Sequence, residues 1–170
     1  MSDEEKKIDG EKQLSPFLDI EEILPILSEI SIFAGLSRKQ LDTLFRLLEK
    51  AHYKAGETVF VEGSKPSHIY IVQSGSVKLV VNAKQTPLEL IVFEEGHCFG
   101  ETSVIGIQPH AATAISVEDT ELIVLSRKAL LSVFKVDLEL FSILILNIAR
   151  EACRRLHRTD EILMHYVLRK

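Results

Sequence analysis

The spacing of hydrophobic positions changes twice along this chain. Ser37 and Gln40 form the S-x-x-Q pattern of a capping box, which marks the start of a helix. The stripe that follows is apolar at the three- and four-residue intervals of a helix and comprises Leu41, Leu44, Phe45 and Leu48. The pattern therefore predicts a helix over residues 38–50.

The middle of the chain has the spacing of β-strands. Short runs rich in β-branched and aromatic residues lie at 58–61, 68–72, 77–81, 88–93, 111–117 and 121–125. Turn residues separate these runs, and four glycines fall where a positive φ is expected: Gly56, Gly63, Gly75 and Gly96. Strands at such spacing, with little helix between them, predict an antiparallel roll or barrel.

Helical spacing returns after residue 126. The pattern predicts a short helix over residues 127–134 and a long one from Asp137 to about His157 or beyond. One stripe of the long helix has the 3-4 spacing of a helix-pair seam and comprises Leu138, Phe141, Ile145, Ile148, Ala152 and Leu156. Its first half is apolar on other faces as well. We therefore expect one face to pack on the roll and another on a second copy of the chain, forming a homodimer.

Together these patterns predict an α+β fold: a jelly-roll-like antiparallel β-roll flanked by an N-terminal helix and a long C-terminal helix. The expected organisation is an acidic extension over residues 1–30, the roll over 31–134 and the long helix over 135–170. The extension holds nine acidic residues and three lysines, so its beginning, positions 1–15, is expected to be disordered. Pro25 weakens a short helix predicted over residues 20–27.

The composition argues against several classes of protein. The formal net charge is −5 and the pI about 5.7, which disfavours nucleic-acid binding. No secretory signal is visible, and the longest mainly apolar run, residues 138–149, is too short to span a bilayer. We therefore expect a cytoplasmic protein without membrane contact.

Cys98 and Cys153 are too few for a disulfide framework and are expected to be buried. No nucleophile–base constellation or glycine-rich hydrolase loop stands out, so an enzyme is not expected.

One stretch carries more specific information. Phe99-Gly100-Glu101 is followed nine residues later by His110-Ala111-Ala112-Thr113. The stretch resembles the phosphate-binding cassette of cyclic-nucleotide-binding domains, in which F-G-E and a short helix precede P-R-A-A-T. The order of helix, strands and glycines over residues 31–157 is similar to that family as well.

The resemblance implies a set of ligand-binding residues: Phe99, Gly100, Glu101, Thr102, His110, Ala111, Ala112 and Thr113. In the family, the glutamate that matches Glu101 accepts a hydrogen bond from the ribose 2′-hydroxyl. Alanine at the position of Ala111 accompanies a preference for cyclic AMP over cyclic GMP. The alternative for Glu101 is a carboxylate that only stabilises the first turn of a helix.

His110 stands where the family carries the arginine that grips the cyclic phosphate. Arginine binds two phosphate oxygens at any relevant pH, whereas histidine is mostly neutral at pH 7.5. Loss of one charge-assisted hydrogen bond, about 1.5–3 kcal/mol, would weaken binding by roughly ten- to a hundredfold. The chain holds no lysine or arginine between Lys84 and Arg127 that could replace it.

Three interpretations stay open. In the first, a weakened nucleotide site takes its cation from the long helix, where Arg150, Arg154 and Arg158 form a stripe; these arginines and Arg155 are equally explained as a solvated face. In the second, the domain binds no nucleotide and serves as a dimerising or docking module. In the third, His97-Cys98 and His110 hold haem, as in gas-sensing relatives of this fold. No metal site or resident cofactor is expected, and cyclic AMP is the candidate ligand.

The expected output is a movement of the long helix, passed to an unidentified protein partner. In the transcription factors of this family a helix-turn-helix domain follows that helix. About a dozen residues follow His157 here, too few for two more helices and a turn. Direct DNA binding is therefore not expected.

Overall fold

A computed structural model of the chain describes residues 14–16, 21, 26–27 and 29–168. Its elements in chain order are β1 (Ser15–Pro16), a 3-10 turn (Ser31–Phe33), α1 (Arg38–Phe45), β2 (Leu48–Tyr53), β3 (Thr58–Phe60), β4 (His68–Ser74), β5 (Val77–Val81), β6 (Leu88–Phe93), β7 (Cys98–Phe99), α2 (Glu101–Gly106), β8 (Thr113–Ser116), β9 (Thr120–Ser126), α3 (Arg127–Val136) and α4 (Leu138–Leu168). The predicted disorder at positions 1–15 and the predicted helix over 20–27 lie largely outside the described residues.

The strands form two sheets that face each other. The larger sheet has the order β1-β2-β9-β4-β7, and the smaller one has the order β3-β8-β5-β6. Every pairing is antiparallel. With α1 before the roll and the long α4 after it, the predicted α+β architecture is confirmed.

The two central strands of the larger sheet, β4 and β9, are buried on both faces. Alternate residues pack with α1, α3 and the start of α4 in a helix-side core: Ile69, Ile71, Ile123 and Leu125. Their neighbours Tyr70, Val72, Leu122 and Val124 pack inside the roll. Each fully buried aliphatic side chain stabilises the fold by about 1.5–3 kcal/mol. Burial on both faces explains why the central runs of these strands, Ile69–Val72 and Leu122–Leu125, are apolar without interruption.

Several elements differ from the sequence-based expectation. The capping box is present, but α1 ends at Phe45 rather than at residue 50. Leu48 instead begins β2, which pairs with β9, and it is still buried in the helix-side core. The apolar spacing is thus satisfied by a strand where a further helical turn was predicted. The two-residue strand β7 is too short to leave a pattern.

The C-terminal helices confirm the prediction in extent but not in orientation. α4 continues without a break to Leu168. Its buried stripe includes Leu140, Leu144 and Ile148, and both Phe141 and Ile145 pack against the same helix-side core. The prediction that Ile148 lies in a seam with a second copy is therefore wrong, because Ile148 belongs to the core of its own chain.

The two cysteines have different environments. Cys98 is buried as predicted, whereas Cys153 is exposed on α4, and the prediction of burial is wrong there. Among the helices formed by the described residues, none is long and apolar enough to cross a membrane.

Candidate functional site

β7 and α2 place the Phe-Gly-Glu motif at one end of the roll. Gly100 joins them with φ near +80°, and a Cβ at this position would lie 3.0 Å from the carbonyl oxygen of His68. Both the backbone conformation and the lack of space therefore require glycine. The turn sends Glu101, the first residue of α2, into the interior.

A cavity of about 820 Å³ lies between β6, α4 and the segment of residues 99–113, called the cassette below. Its volume is within the range of roughly 300–1,000 Å³ that is usual for small-molecule sites. Five of the eight predicted ligand-binding residues line it: Gly100, Thr102, His110, Ala111 and Ala112. Phe99, Glu101 and Thr113 do not line the cavity.

Phe99 and Thr113 support the cassette from behind. The fully buried ring of Phe99 stacks on Tyr70 and Phe93, with centroid distances of 5.2 and 5.5 Å. The hydroxyl oxygen of Thr113 accepts a hydrogen bond of 3.0 Å from the backbone N–H of Glu62. In this structure both residues position the cassette and make no contact with the cavity.

His110 presents an uncharged ring to the cavity. The residue is only 4% exposed, and its ring stacks on Phe60, with 3.7 Å between centroids and 11° between planes. Its backbone N–H donates to Ser64 at 3.0 Å, and its carbonyl accepts from Gly63 at 2.8 Å. Burial lowers the pKa of His110 below the usual 6.5. At neutral pH the position of the family arginine therefore supplies no cation.

Glu101 is tied to the long helix. Its carboxylate is fully buried, and Oε1 forms an ion pair with Nη2 of Arg155 on α4. Apart from this contact, no described residue hydrogen-bonds either carboxylate oxygen. The predicted ribose acceptor is thus not a solvated first-turn residue, and it has unused acceptor capacity.

Three arginines of α4 form the wall opposite the cassette: Arg154, Arg155 and Arg158. The guanidinium carbon of Arg155 lies 5.4 Å from the centroid of the Phe93 ring, within cation–π range. Arg154 forms an ion pair with Glu151. Within the described residues, Arg158 has no ion-pair partner.

Glu151 is held in its ionised form at the edge of this wall. Burial by itself raises the pKa of Glu151, but hydrogen bonds from Arg154 and from the Ser31 hydroxyl outweigh it and lower the pKa below the usual 4.5. The Ser31 hydroxyl donates to Glu151 Oε2 at 2.9 Å. Arg150, the remaining member of the predicted stripe, does not reach the cavity, because its Nη1 donates to Asn147 Oδ1 at 3.1 Å.

Among the site residues to which the sequence analysis gave no binding role are Phe60 and Arg155. Arg155 follows Ile148 by seven residues and Leu144 by eleven, so the helical period places it on the buried face of α4. That signal was available, although arginine is usually assigned to a solvated face. Nothing beyond an ordinary strand pattern distinguished Phe60.

The histidines and the cysteine considered as haem ligands are distributed between two environments. His97 and His110 line the cavity, whereas Cys98 lies in the helix-side core. Burial raises the pKa of the Cys98 thiol to about 12, so the thiol is protonated at neutral pH. No cluster of three or more metal-binding side chains occurs in the part of the chain that the structure describes.

Comparison with known proteins identifies relatives of this site. The family model described as cyclic nucleotide-binding domain matches residues 50–137. A cyclic AMP receptor protein of Thermus thermophilus is 29% identical over 132 residues, which are 76% of this chain and 58% of that protein. A cGMP-dependent protein kinase of Caenorhabditis briggsae is 24% identical over 111 residues, 64% of this chain and 15% of the kinase.

A solved structure agrees with the fold. The crystal structure of a cyclic nucleotide-binding domain from Methylobacillus flagellatus matches with a TM-score of 0.75 and 22% identity, covering 85% of this chain and 83% of that one. The chain spans less than two thirds of the length of the receptor protein and a small part of the kinase. The roll, the cassette and the matched family model together show that this chain belongs to the cyclic-nucleotide-binding domain family, whose role is regulatory.

Proposed function

We propose that this chain is a non-enzymatic sensory domain that binds a cyclic nucleotide weakly between the cassette and α4. The observation that carries the proposal is the ion pair between Glu101 and Arg155. The residue implied to accept the ribose hydroxyl is already paired with α4 through Oε1, so a ribose hydroxyl bound to Oε2 would share the carboxylate with Arg155. Binding then changes how α4 is held, and this change is the signal passed to a protein partner.

The cavity also supports a low affinity and a preference for cyclic AMP. His110 is neutral and stacked on Phe60, so the cassette offers the phosphate no permanent charge. Ala111 lines the cavity and has no hydroxyl with which to read guanine. We therefore expect cyclic AMP to bind more tightly than cyclic GMP.

We further propose that the domain is a homodimer through the exposed side of α4. A stripe at 3-4 spacing faces solvent there: Leu146, Ala149, Cys153, Leu156, Asp160, Leu163 and Val167. Six of its seven positions are apolar or cysteine, and Leu156 is 62% exposed. A stripe of this period that the described residues leave uncovered is typical of a coiled-coil seam.

A second candidate function is an interaction module that has lost its ligand. The same ion pair favours it, since Arg155 already pairs with the carboxylate of Glu101. In that case the exposed stripe of α4 would carry the function, and the cavity would be a remnant.

Isothermal titration calorimetry of the whole chain with cyclic AMP and cyclic GMP distinguishes the sensory domain from the interaction module. The sensor predicts measurable binding of cyclic AMP and weaker binding of cyclic GMP. It also predicts changed hydrogen exchange in α4 at saturation. No heat with either nucleotide at millimolar concentration, with the fold intact by circular dichroism, would decide for the interaction module.

A further inference from the structure

Within the described residues, the permanent positive charges that line the cavity all come from α4. Of the described residues that line the cavity, the arginines and lysines number three, and each is on that helix. They face two carboxylates, those of Glu151 and Glu101. Since the two histidines in the lining carry no permanent charge, one positive charge remains in excess. An anion entering the cavity is therefore attracted to the α4 wall and not to the cassette.

The three arginines differ in their freedom to bind a ligand. The Arg155 side chain is 23% exposed, paired with buried Glu101 and stacked on Phe93. Arg154 is 59% exposed and pairs with Glu151, whose carboxylate also accepts from Ser31. Arg158 is exposed and, among the described residues, unpaired. Arg155 is thus fixed in place, whereas Arg154, which contacts Glu151 through Nη2 alone, and Arg158 have exposed N–H groups left for a ligand.

We propose that Arg154 and Arg158 bind the phosphate of the ligand from α4, in place of the cassette arginine, while Arg155 positions the helix. The inference rests on the proposed function and names the phosphate-binding residues of the same site. Residues four apart lie on the same face of a helix, about one turn from each other. Two planar guanidinium groups at that spacing can contact the oxygens of a single phosphate.

This arrangement makes the ligand a bridge. The ribose is held by the roll and the phosphate by α4, so the bound nucleotide adds a second link between them beside the Glu101–Arg155 contact. Affinity and helix position then depend on each other, as linkage requires.

Calorimetry with cyclic AMP and adenosine tests the assignment, because adenosine has the same base and ribose but no phosphate. The unmodified chain is expected to prefer cyclic AMP. Loss of a single charge-assisted contact weakens binding about ten- to a hundredfold, so in Arg154→Gln/Arg158→Gln cyclic AMP should bind at least that much more weakly, and the preference over adenosine should vanish. Arg150→Gln is the matched control: it lies on the same helix, outside the cavity, and should bind as the unmodified chain does.

The outcomes separate this inference from the proposed function. If cyclic AMP binds with equal affinity to the unmodified chain and to the double variant, the arginine assignment is wrong while the sensor stands. If neither cyclic AMP nor cyclic GMP binds to the unmodified chain, the anion site is tested with pyrophosphate instead. Pyrophosphate binding that is lost in Arg154→Gln/Arg158→Gln keeps the anion site and rejects the nucleotide function.

A second basic depression supplies the competing site for that probe. It lies at the start of α3 and is lined by Arg127, Lys128 and Lys135. The assignment to Arg154 and Arg158 is overturned if pyrophosphate does not bind at all. It is also overturned if pyrophosphate binding is lost in Lys128→Gln/Lys135→Gln but kept in the α4 double variant.

Discussion

His110 is the residue at which this chain departs from its family, and its burial has a measurable effect on stability. Desolvation lowers its pKa, so below about pH 6.5 the unfolded chain binds a proton more readily than the folded one. The stability from the neutral ring is present above that pH and is lost as pH falls through 6.5 towards the lower folded value.

We therefore predict that His110→Gln flattens the acid dependence of the free energy of unfolding, measured by urea denaturation between pH 7.5 and 5. Desolvation lowers the pKa of His68 too, so a residual slope should remain, and His68→Gln should reduce it in turn. An identical slope in the unmodified and His110→Gln chains would show that His110 titrates as freely when folded as when unfolded.

Individual residues of the candidate site were predictable where a motif fixes the backbone. Gly100, Thr102, His110, Ala111 and Ala112 reach the cavity because the turn at Gly100 and the short α2 set their direction; their role in binding stays a prediction. Arg155 was not predictable in the same way. Its contact with Glu101 depends on how α4 lies against the roll, and the two positions are far apart in the sequence.

At the scale of elements, the exposed stripe of α4 predicts a change in oligomeric state. Leu156 and Leu163 are 62% and 60% exposed, and glutamate at both positions would bring like charges together in a dimer seam. Leu156→Glu/Leu163→Glu should therefore be monomeric by analytical ultracentrifugation, with an unchanged circular dichroism spectrum.

Leu131→Glu is the matched control for that variant, since Leu131 is 49% exposed on α3 and should leave the dimer intact. Ile148→Glu would test something else, because it places a charge in the helix-side core and should unfold the chain. Sedimentation of the unmodified protein as a monomer at high micromolar concentration would exclude the dimer.

The type of an element, helix or strand, could be predicted from the hydrophobic periodicity where several consecutive residues follow one periodicity and turn residues mark its ends. β5 and β6 have the predicted bounds, because turn residues flank both. The first three residues of β2, 48–50, were predicted as helix because Leu48 continues the apolar spacing of α1. Only pairing with β9, much later in the chain, makes this segment a strand. The spacing of apolar residues within a segment cannot predict a pairing strand that lies so far away in the sequence.

At the scale of the whole molecule, Glu101 and Arg155 join the roll to α4. Glu101→Gln leaves the largely buried Arg155 without its counter-charge, which should cost about 1–3 kcal/mol of unfolding free energy and increase hydrogen exchange in the middle of α4. Glu101→Gln/Arg155→Met removes both charges and should recover part of that loss.

The exposed pair Lys78–Glu89, with 3.3 Å between nitrogen and oxygen, is the comparison. Neutralising both of its partners should change stability by about 0–1 kcal/mol. Strictly additive losses from Glu101→Gln and Arg155→Met would mean that the two side chains do not stabilise each other.

The position of β9 between β2 and β4 has a consequence for folding while the chain is still being synthesised on the ribosome. β4 ends at Ser74, but its main partner β9 is complete only at Ser126. At a synthesis rate of roughly 5–20 residues per second, that gap lasts several seconds. Until β9 is made, the apolar segment Ile69–Val72 lacks the strand that covers this edge in the complete fold, and unpaired apolar edges of this kind are where aggregation starts. We therefore expect the chain to be most prone to aggregation before β9, its last strand, is made.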